Sequence, residues 1–526
     1  MRKLHWSDLF FVLLASFPPL ALMVHNITED ELSVVVRPLI FSLLFAVFVF
    51  GVSALFTRDT RKSALITSLI IVLFFSFGHL MQSLEGIYVL GIDIGRLRVL
   101  IWPVLITLVL GVRVILRSRS IPILLPKYLF LVSAILVSLQ LGQIGYYAFR
   151  EFTSNLNKPI AQEVIAPEDK PSQPDASLPD IYYIILDSYT RQDVLSQIYQ
   201  FDNSKFINQL NELGFYVGNC SPSNYLVTKL SLSSSLNMDY LIDLDRHLEP
   251  NKDIDKFVLS DLIQHSRIRK ELESRGYRFY SIEGSYLLTN IPDSYRQLKL
   301  SDTEQNISDG QWINPFEEMY IKTTAAIILY RLPLGPVTKW IEGLTFPFTK
   351  KALIQQFQLS SLTQVSKEPG PKFVFTHLMI PHFPYIFTAD GKIQSDASYY
   401  LRDLRKADDP IQRDGYTNQI QFLNNRLPEI IKSIINNSNH PPVIIIQGDH
   451  GLDNSHRSAI LNAYYFPKAN GYPDLYPTIS PVNTFRLVSN RLFNTEYPLL
   501  PDLTYGLVGD GFGSSVIKDD CYHDSN

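Results

Sequence analysis

A helical membrane domain followed by an α/β domain with a mostly parallel sheet is the fold class the sequence predicts, and three observations predict it. Apolar residues crowd into the first third of the 526-residue chain, in five runs each long enough to cross a hydrocarbon layer of about 30 Å as a helix. A polar segment follows, broken by Pro159, Pro167, Pro171, Pro174 and Pro179. Beyond it, short apolar strands alternate with amphipathic helices, the pattern of a sheet covered by helices on both faces. The slightly positive mean hydropathy and the net charge of −4 average over unlike parts and describe neither. A chain of this length is expected to form at least two folding units: five transmembrane helices over 1–150, a linker over 151–179 and an α/β domain over 180–526.

The membrane spans are read at 9–24, 38–56, 64–81, 99–116 and 128–147. The first is not read as a cleaved signal peptide, because no small-residue cleavage site follows it and further spans do. Arg2 and Lys3, then Arg58, Arg61 and Lys62, then Arg117 and Arg119 mark alternate connections, whereas the intervening "HNITEDEL" is acidic. This bias predicts a cytoplasmic N-terminus. With an odd number of spans, the α/β domain then lies outside the cytoplasmic (inner) membrane, in the periplasm or beyond. Arg37, Arg96 and Arg98 weaken the contrast without reversing it. His79 and Arg113 sit near span ends, where snorkelling accounts for them. The basic residues of the second domain are scattered, and no nucleic-acid motif is present.

In that domain "IYYIIL" reads as a strand, "SKFINQLNELG" as a helix stopped at Gly214, and "FYVG" as a strand. "DLIQHSRIRKELESRG" reads as one helix leading into the strand "YRFYSI". "KFVFTHLMI" is a further strand, and the long amphipathic helix "NQIQFLNNRLPEIIKSII" feeds the strand "PVIIIQ" before "AILNAYYF". Reactive groups in such sheets gather beyond the carboxyl ends of strands, which is where Asp187, His382, Asp449 and His450 all fall. The stretch 320–348, "YIKTTAAIILYRLPLGPVTKWIEGLTFPF", is unusually apolar for an exported domain. Two readings stand: a segment on the membrane surface near the mouth of a lipid site, or a pair of core helices.

Asp187, Asp449 and His450 offer oxygen and nitrogen donors of the kind that bind a divalent ion, and Zn²⁺, Mn²⁺ and Mg²⁺ all suit the mixed set. Three ligands leave a position open, where a hydroxyl would be acidified and aimed as a nucleophile. The candidate hydroxyls lie in "NCSPSNYLVTKLSLSSSLNMDYL". Thr228 opens a run with Leu230, Leu232 and Leu236 that looks like a helix start, a place suited to a phosphate or sulfate under attack. The competing reading makes Thr228 an N-cap and nothing more.

Taken in order, "DIYYIILDSYTRQDVL", "FDNSKFINQLNELGFYVGN", the Thr228 segment, "THLMIPHFPY" and "QGDHG" resemble the sulfatase-like branch of the alkaline phosphatase superfamily. Within that branch the chain resembles the five-span membrane enzymes, the lipoteichoic acid synthases and lipid A phosphoethanolamine transferases. The resemblance implies a metal-dependent transferase or hydrolase acting on phosphoesters in cell-envelope metabolism. A phospholipid would donate phosphoglycerol or phosphoethanolamine, and an envelope glycan or lipid would accept it. It implies that Asp187 is the first acidic metal ligand, where those transferases usually carry Glu. Thr228 would be both nucleophile and metal ligand, because "TKLSLS" echoes the pattern of Thr, two residues, Ser, then an apolar residue. Asp449 and His450 match the closing metal pair, and His382 the histidine that binds the transferred group. His456 matches a second such histidine, although the spacing after "GDHG" is shorter than in the lipid A enzymes.

Asn224, with Arg191 and Asp193, is placed either to line the substrate pocket or to serve as a solvated or capping group. "CSPSN" resembles the sulfatase signature Cys-x-Pro-x-Arg, whose cysteine is oxidised to formylglycine, but Asn224 stands where the arginine belongs. Cys220 therefore has two readings: the nucleophile of a sulfuric ester hydrolase, or a disulfide with Cys521, the other cysteine of the chain. His377, inside a strand, reads as a satisfied core histidine. Ser188 lacks the Gly-x-Ser-x-Gly elbow of a serine hydrolase. Two rivals to the phosphoester enzyme are carried forward, a sulfatase and a catalytically inactive membrane scaffold or receptor.

Overall fold

A computed structural model of the chain describes residues 5–27, 32–84, 86–156, 178–244, 248–254, 256–300, 313–328, 348–396, 399, 409–452, 455–467, 473–509, 511–518 and 521. The chain divides into two compact units, Met1–Ile165 with Gln311–Pro347, and Ala166–Gly310 with Phe348–Asn526.

Among the described residues the first unit contains five helices long and apolar enough to cross a membrane: α1 (Phe10–His25), α2 (Val36–Thr57), α3 (Thr60–Leu84), α4 (Leu97–Arg117) and α5 (Leu124–Leu156). Small residues set the close contacts. Ala15 of α1, Ala46 of α2 and Ala64 of α3 are fully buried, and Phe10, Phe11, Ile71 and Phe75 fill the space between them. The unit also contains a segment distant in sequence. The helix Pro315–Thr323 starts on a capping box, with Asn314 and Glu317 exchanging side-chain and backbone bonds. Its Tyr320 is buried among α1, α2 and α3 and its Phe316 against Met23 of α1 and Ile144 and Tyr147 of α5; Tyr320 Oη hydrogen-bonds to Ser42 Oγ, and Glu317 pairs with Arg37 at 3.0 Å. Ala325 N–H then donates to Phe74 O of α3 (2.7 Å). Gly78 makes this approach possible, because a Cβ there would collide with Lys322 O. The apolar stretch thus begins as part of the helical unit, and 329–347 lie outside the described residues.

Among the described residues the second unit has a separate antiparallel pair, Thr504–Val508 and Gly511–Ile517, and is built on a seven-stranded sheet: β1 (Ile181–Leu186), β2 (Tyr216–Val217), β3 (Arg278–Ile282), β4 (Arg296–Leu298), β5 (Lys372–Leu378), β6 (Val443–Gly448) and β7 (Asn462–Tyr465). Their order is β2-β7-β6-β1-β5-β3-β4; β6, β1, β5, β3 and β4 run parallel, while β7 is antiparallel to both β6 and β2. Every residue of β1 is buried, as expected for a central strand covered on both faces. On one face Ile181, Tyr183 and Ile185 pack with Leu232 and Leu236 of the helix Thr228–Asn237 and with Phe485 and Val488 of the helix Pro481–Phe493. Each of those leucines contributes about 1.5–3 kcal/mol on burial, so together they fix the helix to the sheet.

Two details differ from the sequence reading. The helix expected over 261–276 is broken into Lys256–Gln264 and Arg267–Ser274, because Ser266 takes an extended conformation and starts the second helix. The edge strand β4, three residues long, carries too little pattern to be read from sequence.

Candidate functional site

The strands β6, β1 and β5 are neighbours, so their carboxyl ends deliver "GDHG", Asp187 and the His382 loop to one edge of the sheet. Asp187 N–H donates to Leu378 O (2.9 Å), and His382 N–H donates to Asp187 O (3.1 Å). The chain then turns at Ser188 with φ 62°, a left-handed conformation that costs a non-glycine residue roughly 1–2 kcal/mol. Three bonds hold it there. Ser188 N–H donates to Asp449 Oδ1 (2.9 Å), Ser188 Oγ to Asp187 Oδ1 (2.9 Å), and Tyr416 Oη to Ser188 O (2.6 Å).

One ligand atom from each of Asp187, Asp449 and His450 lies within 4.8 Å of the others, and all three residues are buried. His450 Nδ1 lies 2.8 Å from Gly451 O; a carbonyl only accepts, so the proton sits on Nδ1 and the lone pair on Nε2. That nitrogen faces Asp449 Oδ2 at 3.5 Å, Asp187 Oδ1 at 3.9 Å and Thr228 Oγ1 at 3.4 Å. Burial lowers the His450 pKa and outweighs the two carboxylates that raise it, which favours the neutral ring. Burial alone would push the Asp187 carboxyl up, yet His382 and His377 hold it well below the usual carboxylate range. Asp449 Oδ1 accepts from Ser188 N–H and His450 N–H (both 2.9 Å), while its Oδ2 is buried without a hydrogen bond.

An orphaned carboxylate oxygen beside a second carboxylate and an imidazole lone pair is what a divalent cation would complete. The residues therefore fit a metal held by Asp187, Asp449 and His450.

Thr228 is the first residue of the helix Thr228–Asn237, and the N-cap position belongs to Val227. The capping reading of Thr228 is thus replaced. Ser231 Oγ donates to Asp449 O (2.7 Å), tying the start of this helix to the metal-type pair. Thr228 is part-buried and stands at the positive end of a ten-residue helix.

His382 is part-buried, its Nδ1 next to Phe383 O and its carbonyl held by Gln419 Nε2 (3.1 Å). His456 lies in the turn after Gly451 and is not among the three groups brought together. Asn224 is a correction to the pocket-lining expectation. It is fully buried, its Nδ2 donating to Tyr240 Oη, Ser480 Oγ and Leu503 O and its Oδ1 accepting from Val482 N–H, so nothing of it is left for a substrate. Arg191 is likewise buried, paired with Asp193 at 2.7 Å. Cys220 and Cys521 form a disulfide, which leaves Cys220 no free thiol for oxidation to formylglycine.

Two residues were undervalued from sequence. Ser188 is the hinge of the site rather than a bystander. His377 is not satisfied: Nδ1 lies 3.3 Å from Thr289 Oγ1, but the buried Nε2 has no hydrogen bond and sits 3.6 Å from Asp187 Oδ2. The available signal was position, since His377 is the penultimate residue of β5, beside the carboxyl end of β1.

Fold and site together define a chain with five membrane-type helices and an α/β domain that gathers a buried Asp-Asp-His set at the carboxyl edge of its sheet. No family model matches the sequence, and it matches no curated protein. Among solved structures the chain is similar to lipooligosaccharide phosphoethanolamine transferase A from Neisseria meningitidis, at 12% identity over 92% of this chain and 94% of that one, with a TM-score of 0.36. It is also similar to the C-terminal periplasmic domain of EcEptC from Escherichia coli (12% identity, 62% and 84% covered, TM-score 0.36). A third is a putative sulfatase from Bacteroides fragilis (14% identity, 62% and 75% covered, TM-score 0.36).

Proposed function

We propose that the protein is a metal-dependent transferase or hydrolase that acts on a phosphoester through Thr228, outside the cytoplasmic membrane. The observation that carries this reading is the buried, unbonded Asp449 Oδ2 within 3.5 Å of the same His450 Nε2 that stands 3.4 Å from Thr228 Oγ1. Asp187, Asp449, His450 and Thr228 would hold a divalent cation, which would supply Lewis-acid charge neutralisation there. The neutral imidazole in the set favours Zn²⁺ or Mn²⁺ over Mg²⁺.

Thr228 Oγ1 forms a bond to phosphorus as the bond from phosphorus to the leaving alcohol breaks, and the threonine proton ends on that alcohol. A second hydroxyl, from a glycan, a lipid or water, then takes the group and returns the proton to Thr228. The helix start at Thr228 orients its positive end toward the transferring group. His382, and in a looser assignment His456, bind that group; the main chain of His382 is fixed to that of Asp187. A phospholipid bearing phosphoglycerol or phosphoethanolamine is the donor that five membrane-type helices would suit. The Lys and Arg bias of the connections supports a cytoplasmic N-terminus.

The disulfide at Cys220 speaks against the sulfatase alternative. The test is mass spectrometry of the full-length protein incubated with phospholipid, with phosphate-bearing mass expected on the peptide containing Thr228. Phosphodiesterase activity that survives both Thr228→Ala and Asp449→Ala would favour the inactive-scaffold alternative instead.

A further inference from the structure

We propose that His377 is a positioning residue for Asp187: its Nε2 holds the outer carboxylate oxygen, Oδ2, and leaves Oδ1 on the side of His450. This rests on the reading of Asp187, Asp449 and His450 as a cation site, and it gives a task to a buried group which that reading leaves idle.

The register of the sheet brings the two side chains together. β1 and β5 run parallel with Ile185 opposite His377, and Asp187 continues the ladder by donating its N–H to Leu378 O. Side chains two residues apart along a strand share a face, so Asp187 stands diagonally next to His377. That face also carries Tyr183 and Phe375 and packs on the helix Thr228–Asn237.

The two oxygens of Asp187 have separate company. Oδ1 accepts from Ser188 Oγ at 2.9 Å and lies 3.9 Å from His450 Nε2, whereas Oδ2 lies 3.6 Å from His377 Nε2. A neutral imidazole donates from one nitrogen and accepts at the other. Thr289 Oγ1 has two acceptors within reach, Tyr286 O at 3.0 Å, which already takes the Thr289 N–H, and His377 Nδ1 at 3.3 Å. The carboxylate decides between them. A lone pair on Nε2 would repel Asp187 Oδ2, whereas a proton on Nε2 attracts it and leaves Nδ1 to accept from Thr289. At 3.6 Å this is an electrostatic contact, longer than a hydrogen bond. It is also little screened, because His377 and Asp187 are only 2% and 3% exposed.

The surroundings hold the ring in place. Gln358 Nε2 donates to His377 O (2.8 Å), and Tyr286 stands edge-on to the imidazole with centroids 5.8 Å apart. A partner behind a ligating carboxylate fixes its orientation, and removing one typically costs about 10–100-fold in metal affinity.

The test uses the full-length chain in detergent, stripped with EDTA and titrated with Co²⁺, with calorimetry for affinity and visible absorption for the ligand field. His377→Asn places an amide near Thr289 but is too short for Asp187, whereas His377→Gln carries its amide out to the position of Nε2. The first is expected to bind Co²⁺ about tenfold or more weakly with an altered spectrum, the second to stay within about threefold with the spectrum kept. Thr289→Val, which removes the partner of Nδ1 and leaves His377 in place, is expected to weaken binding by less. It keeps the test open if His377→Asn does not fold. Unchanged affinity and spectrum in whichever of His377→Asn and Thr289→Val fold, or equal loss in His377→Asn and His377→Gln, would overturn the proposal and leave the cation site standing. An unsubstituted chain that binds no Co²⁺ would overturn the proposal together with the cation reading, so the two failures are told apart.

Discussion

Strand β1 is flanked by two buried aspartates, and they are treated in opposite ways. Asp180, just before its first residue, meets Lys372 Nζ at 2.6 Å and Lys372 N–H at 3.2 Å, and Lys372 Nζ also donates to Glu368 O (2.7 Å). Lys372 is 1% exposed, so this is a closed pair in which the chain supplies its own counter-charge. Gly370 leaves room for it, since a Cβ there would strike Asp180 Oδ1. Asp187, just after the last residue of β1, has a second carboxylate, neutral His450 and unbonded His377 Nε2 for company. One end of the strand is finished by folding, whereas the other is left unfinished, with Asp449 Oδ2 buried and without a hydrogen bond. Burial alone therefore does not separate the two ends, and the presence of a hydrogen-bonded counter-charge does.

The largest way to sharpen this contrast is at the unfinished end. Thr228→Ala is expected to lower phosphodiester turnover by about 10³-fold or more while the thermal midpoint changes little, because Thr228 is part-buried and caps nothing. Paired activity and melting measurements on the full-length protein check both halves.

At the finished end the expected effect is on stability. Asp180→Asn leaves Lys372 buried without its charge partner and should cost about 3–5 kcal/mol, seen as a lower denaturation midpoint. The equivalent change at the other end should act with the opposite sign. Asp449→Asn keeps an acceptor for Ser188 N–H and His450 N–H but removes one of two neighbouring negative charges. In chelator it is expected to stabilise by about 1 kcal/mol while metal affinity falls, a trade of stability against function. Equal destabilisation by both substitutions would break the comparison.

The two ends also differ in how far they could be read from sequence. Asp187, Asp449 and His450 were legible because an apolar run that stops on a charged residue marks a strand tip, and strand tips on one sheet edge converge. Asp180 and Lys372 were not, since their pairing depends on β1 and β5 being neighbours, 192 residues apart along the chain. The same reason hid His377, which sequence alone leaves inside a strand with no visible partner. The positive φ of Ser188 has no compositional mark, because glycine is the residue such a turn advertises. The stretch 320–348 reads as apolar from sequence, but the place of its first residue, Tyr320, among α1, α2 and α3 follows from contacts that no local pattern encodes.

Chelation comes next in size. If a cation completes the Asp187 end, removing it with EDTA from a protein kept in free metal at about 100 times the dissociation constant should lower stability by about 2.7 kcal/mol. The Asp449→Asn variant should show no such response in the same calorimetric titration.

The smallest effect concerns a third arrangement, a carboxylate pair balanced by a titratable group at the surface. His265 lies 2.8 Å from Asp261 Oδ1 and 3.2 Å from Asp293 Oδ2, and the hydrogen bonds its ring donates to these two carboxylates raise its pKa to about 9. A raised histidine pKa means the folded state binds the proton more tightly, so the stability it contributes is full below the unfolded value near 6.5 and fades as pH rises through about 9. Because His265 is about half exposed, solvent and salt screen the contribution to below about 1 kcal/mol. Replacing it in His265→Ala should flatten the stability profile between those two pH values and leave it unchanged above them. A cation-completed site, a lysine-completed pair and a histidine-completed pair would then be told apart by chelator, by substitution and by pH respectively.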